Sequence, residues 1–414
     1  MSELTVIVLN DYCHINGGAS RVAIDEAVSL AEAGVRVIFF GAVGPVCPSL
    51  QKADLEVISL EQSELLQASK NPSVMLQGLW NLTAYRRMHA LLDTLDPRST
   101  IVHLHGYTKA LSTSPVRVAA RRGFRTVCTL HDFFTACPNG AFFNYKESKP
   151  CALRGMSGRC IATNCDKRHY AHKLYRVTRG LVQRSIGLLP EGVMDYITLS
   201  RHSATLLRPY LPAQAQLHAL ENLIETVQAP PVDVGANREI VAVGRLDVEK
   251  GIEVLLQAAV RADVALTLVG DGPLRPLAEA TPRCRVTGWL PPDAVQKELE
   301  KARCLAFPSI WYEAYGLVVA EAASRGVPAI VSTISAAAER VVDGVQGWHV
   351  LPGDVDDLAR CLTLSNDDQQ LRRMGQAAYD QFWSAPPTRS NHTRGLLAIY
   401  DMMLAGPPTL AVAS

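Results

Sequence analysis

The sequence predicts an α/β protein of two doubly wound, Rossmann-like domains that face each other across a cleft. Three observations carry that prediction. Short apolar runs alternate with helical apolar periods along most of the 414 residues. The alternation stops in a stretch around Pro230-Pro231 and then restarts. Within the second series, residues 304–331 read strand, loop, helix, strand at about the minimum length of a right-handed crossover.

Composition bounds the rest. The length is enough for two domains with separate cores. A hydrophobic content of 48% and a charged content of 20% fit a folded enzyme. A formal charge of +1 supplies no field that would draw in nucleic acid, so nucleic-acid binding is excluded. No apolar run reaches the roughly 18 residues of a membrane span, and Met1-Ser2-Glu3 lacks the basic start of a signal peptide. A cytoplasmic location is the expectation.

In chain order, Leu4 to Leu9 is a strand, Gly17-Gly18 a glycine loop, and Ala19 to Ala33 a helix ended by Gly34. Val35 to Phe40 and Leu55 to Leu60 are further strands, and Val74 to Leu95 carries one helical period. The strands Thr100 to Gly106 and Arg125 to Asp132 place His105 and His131 at their carboxyl ends, opening to the cleft. Each is either a core histidine satisfied by backbone or a sugar-contacting or catalytic group.

Residues 133–168 break the alternation and carry Cys137, Cys151, Cys160 and Cys165, separated by 13, 8 and 4 residues. That spacing differs from the paired Cys-x-x-Cys of zinc ribbons and leaves three readings open: free or buried thiols, a structural zinc site, or a redox-sensitive pair. A basic helix follows, from about His169 to Leu188. Leu174, Val177 and Leu181 form one stripe, with His172, Lys173, Arg176 and Arg179 on the adjoining face. That face is expected to be solvated, or to touch an anionic membrane at the inner face of the plasma membrane or a lipid-diphosphate acceptor. The strand Asp195 to Leu199, a short helix to Pro209 and a linker over 222–237 complete the first domain. The boundaries expected are 1–223 and 224–384, with a helix in 385–414 crossing back to the first domain.

In the second series Glu239 to Val243 is a strand and Gly244 to Gly251 a loop carrying Arg245 and Lys250. Arginine grips phosphate oxygens bidentately and lysine acts as a point charge, so the pair suits a diphosphate. Gly270 and Gly272 follow the next strand, as a tight turn or a wall for the base. In the 304–331 unit Glu313 falls on the loop and Glu321 in the helix. The amides of Ala314, Tyr315, Gly316 and Leu317 lie at the helix N-terminus, where unpaired N–H groups suit an anion. Carboxylates only accept hydrogen bonds and so suit sugar and ribose hydroxyls. Alone, Glu313 would read as a first-turn acid and Glu321 as a solvated helix residue.

Taken together these residues resemble the GT-B glycosyltransferases, and within them the retaining glycosyltransferase family 4. The resemblance rests on Gly244-Arg245-Leu246 with Lys250-Gly251, Val269 to Pro273, and Pro308-Ser309 through Glu313 to Glu321 with Gly326-Val327-Pro328; Gly17-Gly18, His103 to Gly106 and His131-Asp132 are less specific. It implies that Arg245 and Lys250 bind the diphosphate of a nucleotide-sugar donor, that Glu321 holds the ribose and that Glu313 contacts the donor sugar. By the same analogy Gly17, Gly18 and His105 or His131 complete the donor-sugar and acceptor site. Tyr315 stands where family members often have Phe. The family also implies transfer without a metal or other cofactor to a glycan or lipid-linked acceptor, with front-face attack and no covalent nucleophile. Asp354-Val355-Asp356 reads as a helix cap. The rival readings are a sugar-nucleotide epimerase or sugar-phosphate synthase on the same fold, and a catalytically silent sugar-nucleotide-binding protein.

Overall fold

The computed structural model describes residues 4–65 and 72–406. The Met1-Ser2-Glu3 start and the end of the crossing segment, 407–414, lie outside the described residues. The first sheet contains β1 (Thr5–Tyr12), β2 (Arg36–Val43), β3 (Glu56–Ser59), β4 (Thr100–Leu104), β5 (Arg125–Thr129), β6 (Asp195–Thr198) and β7 (Gln216–Ala219). Its order is β3-β2-β1-β4-β5-β6-β7, parallel throughout. The second sheet contains β8 (Glu239–Val243), β9 (Ala265–Val269), β10 (Cys284–Gly288), β11 (Ala302–Phe307), β12 (Ala329–Ser332) and β13 (Gly347–Val350), in the order β10-β9-β8-β11-β12-β13, again parallel.

The strands are apolar on both faces because both faces are covered. In β1, Ile7 and Leu9 enter one core and Val6 and Val8 the other. In each sheet the strand order reverses beside the first strand, between β1 and β4 and between β8 and β11. A ligand crevice opens beyond the carboxyl ends of the strands at such a point. The two crevices face each other.

Five helices matter to the site: α1 (Gly18–Glu32), α2 (Tyr170–Ser185), α3 (Ile252–Arg261), α4 (Leu317–Ser324) and α5 (Arg389–Ala405). The last belongs to the first domain in space. Leu396, Ile399, Tyr400 and Met403 of α5 fill the core above β1 and β4, and Tyr400 Oη lies 2.7 Å from His103 Nδ1.

Several expectations are corrected. The helical period over Val74 to Leu95 is two helices, Pro72–Leu79 and Leu82–Leu92. Asn81 caps the second, its side-chain oxygen accepting from the Ala84 amide at 2.9 Å. The basic face of α2 is turned inward: Lys173 and Arg179 are buried while Leu174 and Leu181 are exposed. Arg179 explains part of this, donating to Thr108 O at 2.8 Å and stacking over the Phe134 ring at 4.8 Å. Arg176 pairs with the buried Asp166 at 3.3 Å. A cationic face offered to an anionic membrane does not fit this packing. Asp354 does cap a helix, accepting from the Asp357 amide at 2.9 Å.

Residues 133–168 join the two domains. Ala141 and Phe143 pack against Ile310, with Tyr145, Val248 and Trp311 around them, and Lys167 pairs with Asp247. The irregular insert therefore touches both sequence motifs of the second domain.

Candidate functional site

Between the domains lies a cleft of about 640 Å³. From the first domain it is lined by Gly17, Gly18, Arg21 and His131; from the second by Gly244, Lys250, Trp289, Trp311, the run Glu313 to Val318, and Glu321. The N-termini of α1 and α4 meet here. A Cβ added to Gly18 would lie 3.4 Å from Leu317 Cδ1, so two sets of unpaired helix amides converge on one space.

The Glu313 loop is shaped by Gly316, the N-cap of α4, whose φ of 86° lies in the left-handed region. A Cβ there would come within 2.8 Å of Ala337 Cβ, so only glycine allows the turn. Around it the side chains are tied down. Glu313 Oε1 takes the Lys250 ammonium at 2.5 Å, the Ser309 hydroxyl at 2.8 Å and the Trp311 indole N–H at 2.8 Å. The Lys250 ammonium also sits 5.3 Å from the Trp311 ring centroid. Ser200 of the first domain donates to Ala314 O at 2.9 Å, and Tyr315 donates to Asn222 O at 3.3 Å. The loop is held from both sides before any ligand arrives.

Glu321 lies half-buried on the cleft wall. Burial pushes its carboxyl above the usual carboxylate range, and the Arg21 guanidinium draws it partly back. Arg21 is a residue that the sequence reading missed. It stands one turn into α1 after Gly17-Gly18, and that position was the signal available.

Other expected residues are placed differently. Arg245 does not line the cleft: its guanidinium turns onto Asp247, with Nε 3.1 Å from Oδ2, and onto Glu249. Both carboxylates are almost fully buried and require a counter-charge. Burial alone would raise the Asp247 carboxyl, but Lys167 and Arg245 hold it below its usual value; burial raises that of Glu249. Gly270 and Gly272 also lie off the cleft. A Cβ on Gly270 would meet Gly244 O at 1.9 Å, and one on Gly272 would meet Leu246 O at 2.4 Å. Both are there so that two strand-end loops can touch.

His131 lines the cleft, whereas His105 sits behind it, with Nδ1 2.9 Å from His131 Nε2. His105 Nε2 in turn faces Glu26 Oε2 at 3.4 Å, and His392 Nε2 on α5 lies 3.0 Å from Glu26 Oε1. Burial pushes His103 and His131 down to about 4 and His105 well below its ordinary value. His392 moves up: burial opposes this, but the Glu26 carboxylate outweighs it. The sequence reading did not find Glu26 or His392.

The four cysteines of the insert do not fit a zinc shell as arranged. The buried cation among them is Lys173, whose ammonium lies 3.1 Å from Cys165 Sγ and 3.5 Å from Cys160 Sγ. Cys137 donates to Asn139 Oδ1 at 2.9 Å. Among the described residues, Glu26, His103 and His105 form the one group of three or more His, Cys, Asp or Glu residues whose ligand atoms all come within 4.8 Å of one another. It does not suit a metal either, since both His103 nitrogens are engaged, by Tyr400 and by Thr129, at 2.7 Å each.

This fold and cleft define the two-domain class in which two Rossmann-like units grip a ligand between them. Comparison with known proteins sharpens that. Residues 237–366 match the family model "Glycosyl transferases group 1", and residues 17–182 match "Glycosyl transferase 4-like domain". The chain belongs to the group 1 glycosyltransferases, of the family 4 type. A glycogen synthase of Mycobacterium tuberculosis is 29% identical over 192 residues, covering 42% of this chain and 45% of that protein. An MMP alpha-(1->4)-mannosyltransferase of Mycolicibacterium hassiacum is 30% identical over 198 residues, 44% of this chain and 48% of that one. The chain thus aligns with about half the length of the curated relatives it matches. Among solved structures, Anabaena HepE in complex with UDP and glucose superposes with a TM-score of 0.65 at 16% identity, over 97% of this chain and all of that one. That likeness shows the GT-B fold.

Proposed function

We propose that the protein transfers a sugar from a nucleoside-diphosphate sugar to a glycan or lipid-linked acceptor with retention of anomeric configuration, in cell-surface polysaccharide or glycoconjugate assembly in the cytoplasm. The observation that carries this reading is the cleft itself. Lys250, two helix N-termini, Glu313 and Glu321 line one space, which is the set of charges a diphosphate and its two sugars require. The relatives' names support it, as does a fold neighbour that binds UDP and glucose.

In this reading Lys250 and the amides at the start of α4 take the developing charge of the leaving diphosphate, and no metal is required. The diphosphate draws Lys250 from Glu313, whose freed oxygen then accepts from donor-sugar hydroxyls. Glu321 accepts from the ribose. His131 contacts the donor sugar or the acceptor from the opposite wall.

The test is a thermal-shift and hydrolysis panel with UDP-, GDP-, ADP- and TDP-sugars on the wild type and Glu321→Ala. One donor is expected to raise the Tm, with the rise largely abolished in the variant. No stabilisation by any of the four would defeat the reading. Turnover of the donor without an acceptor to an epimer would replace transfer with epimerisation.

A further inference from the structure

A buried file of polar groups runs from α5 to the cleft: His392, Glu26, His105, His131. The roles of its atoms follow from what each one faces. His392 Nδ1 lies 2.7 Å from the backbone oxygen of Glu221, and its Nε2 lies 3.0 Å from Glu26 Oε1. Both partners can only accept, so both ring nitrogens carry protons and His392 is an imidazolium. Glu26 is the matching carboxylate, 2% exposed on α1. Its other oxygen, Oε2, faces His105 Nε2 at 3.4 Å, a charge contact without hydrogen-bond alignment, and neither atom has a hydrogen-bond partner among the described residues. With a carboxylate there, the proton of His105 belongs on Nε2. Neutral His105 then offers a lone pair at Nδ1, 2.9 Å from His131 Nε2, and that lone pair requires an N–H on His131 Nε2.

We infer that Glu26 is a positioning residue that acts through His105 to fix His131 as its Nε2–H tautomer, leaving Nδ1 to the cleft as a hydrogen-bond acceptor. The inference rests on the sugar-transfer reading only for what Nδ1 receives, a hydroxyl of the donor sugar or of the acceptor. His131 Nδ1 has no partner among the described residues, and the burial that keeps the ring neutral leaves that nitrogen its lone pair, free to accept a hydrogen bond. A merely structural cluster would satisfy itself inside the core. This one ends on a side chain lining the cleft. His103 does not carry the relay, because its two nitrogens are taken by the hydroxyls of Tyr400 and Thr129, and its Nδ1 lies 3.7 Å from Glu26 Oε2.

The experiment reads the tautomer directly, in long-range 15N–1H spectra of the imidazoles of the full chain. Wild type is expected to show His131 protonated on Nε2 and bare on Nδ1. In Glu26→Gln the amide N–H turned to His105 reverses both tautomers. With the donor found in the panel, kcat then drops by roughly 10²-fold while the affinity for that donor's nucleoside diphosphate stays within about twofold, since on the transfer reading the nucleotide lies on the other domain. Adding Glu26→Gln to His131→Ala costs no further activity. A wild-type His131 protonated on Nδ1 would overturn the inference whether or not the variant folds, as would an unchanged tautomer or kcat in Glu26→Gln. Failure of UDP, GDP, ADP and TDP alike to bind would defeat the transfer reading, with the tautomer still measured on its own.

Discussion

The two crevices of this molecule have the same architecture and opposite electrostatics. In the second domain the ends of β8 and β11 carry formal charges that reach the ligand space directly: Lys250, Glu313 and Glu321. In the first, the ends of β1, β4 and β5 offer amides and neutral imidazoles beside Arg21 of α1, and behind them Glu26 and His392 neutralise each other inside the core. A diphosphate needs opposite charge at contact distance, which must stay in the open. A hydroxyl needs only a correctly aimed lone pair, and that can be set from within. In the proposed transfer, that division of labour follows from the chemistry of the two halves of the donor.

Three measurements would break or sharpen that contrast. The largest effect is expected from Lys250→Ala, which removes the cation from the charged wall. Its kcat/KM should fall by about 10²–10³-fold, equivalent to roughly 3–4 kcal/mol of lost stabilisation of the leaving group. A loss below tenfold, by steady-state kinetics, would mean that the helix amides suffice.

The neutral wall should betray itself through acid. His103, fully buried, is held at about 4 against an ordinary 6.5. The unfolded chain therefore binds a proton that the folded one refuses, and stability is fully present above pH 6.5 and lost as the pH falls through 4. His105 is lowered too and adds in the same direction. His392 does not offset this fall, since its raised value contributes stability that is fully present below pH 6.5 and lost only as the pH rises above it. The Tm should fall between pH 6.5 and 4, with roughly 3 kcal/mol from His103 alone. A flat profile would show that the imidazoles are already charged.

The smallest effect belongs to the strut between the walls. Lys167→Ala removes the ion pair to Asp247 across the domains, and Lys167 is 41% exposed. A loss of under about 1 kcal/mol, shrinking with added salt, is expected in chemical unfolding.

The charged wall was legible in the sequence because its residues lie close together in the chain: a Gly-rich loop with Lys250 and a run in which Glu313 and Glu321 are eight residues apart. The neutral wall was half legible. His105 and His131 fall at strand ends, but Glu26 and His392 meet only through the return of α5, and 366 residues separate them. The basic helix misled for a physical reason. Lys173 and Arg179 are cations whose partners are sulfur, a backbone carbonyl and an aromatic face, none of which shows as an opposite charge in the sequence. The turn at Asn81 was hidden because its flanks keep the same apolar period.

The return of α5 makes the first domain discontinuous along the chain. A fragment ended at the linker would expose the core that Leu396 and Tyr400 fill, and would strand Glu26 without its cation and His103 without its hydroxyl. Anyone wishing to study the first domain alone should splice the closing helix onto residue 220 rather than cut there, or rejoin the two pieces as separately made chains.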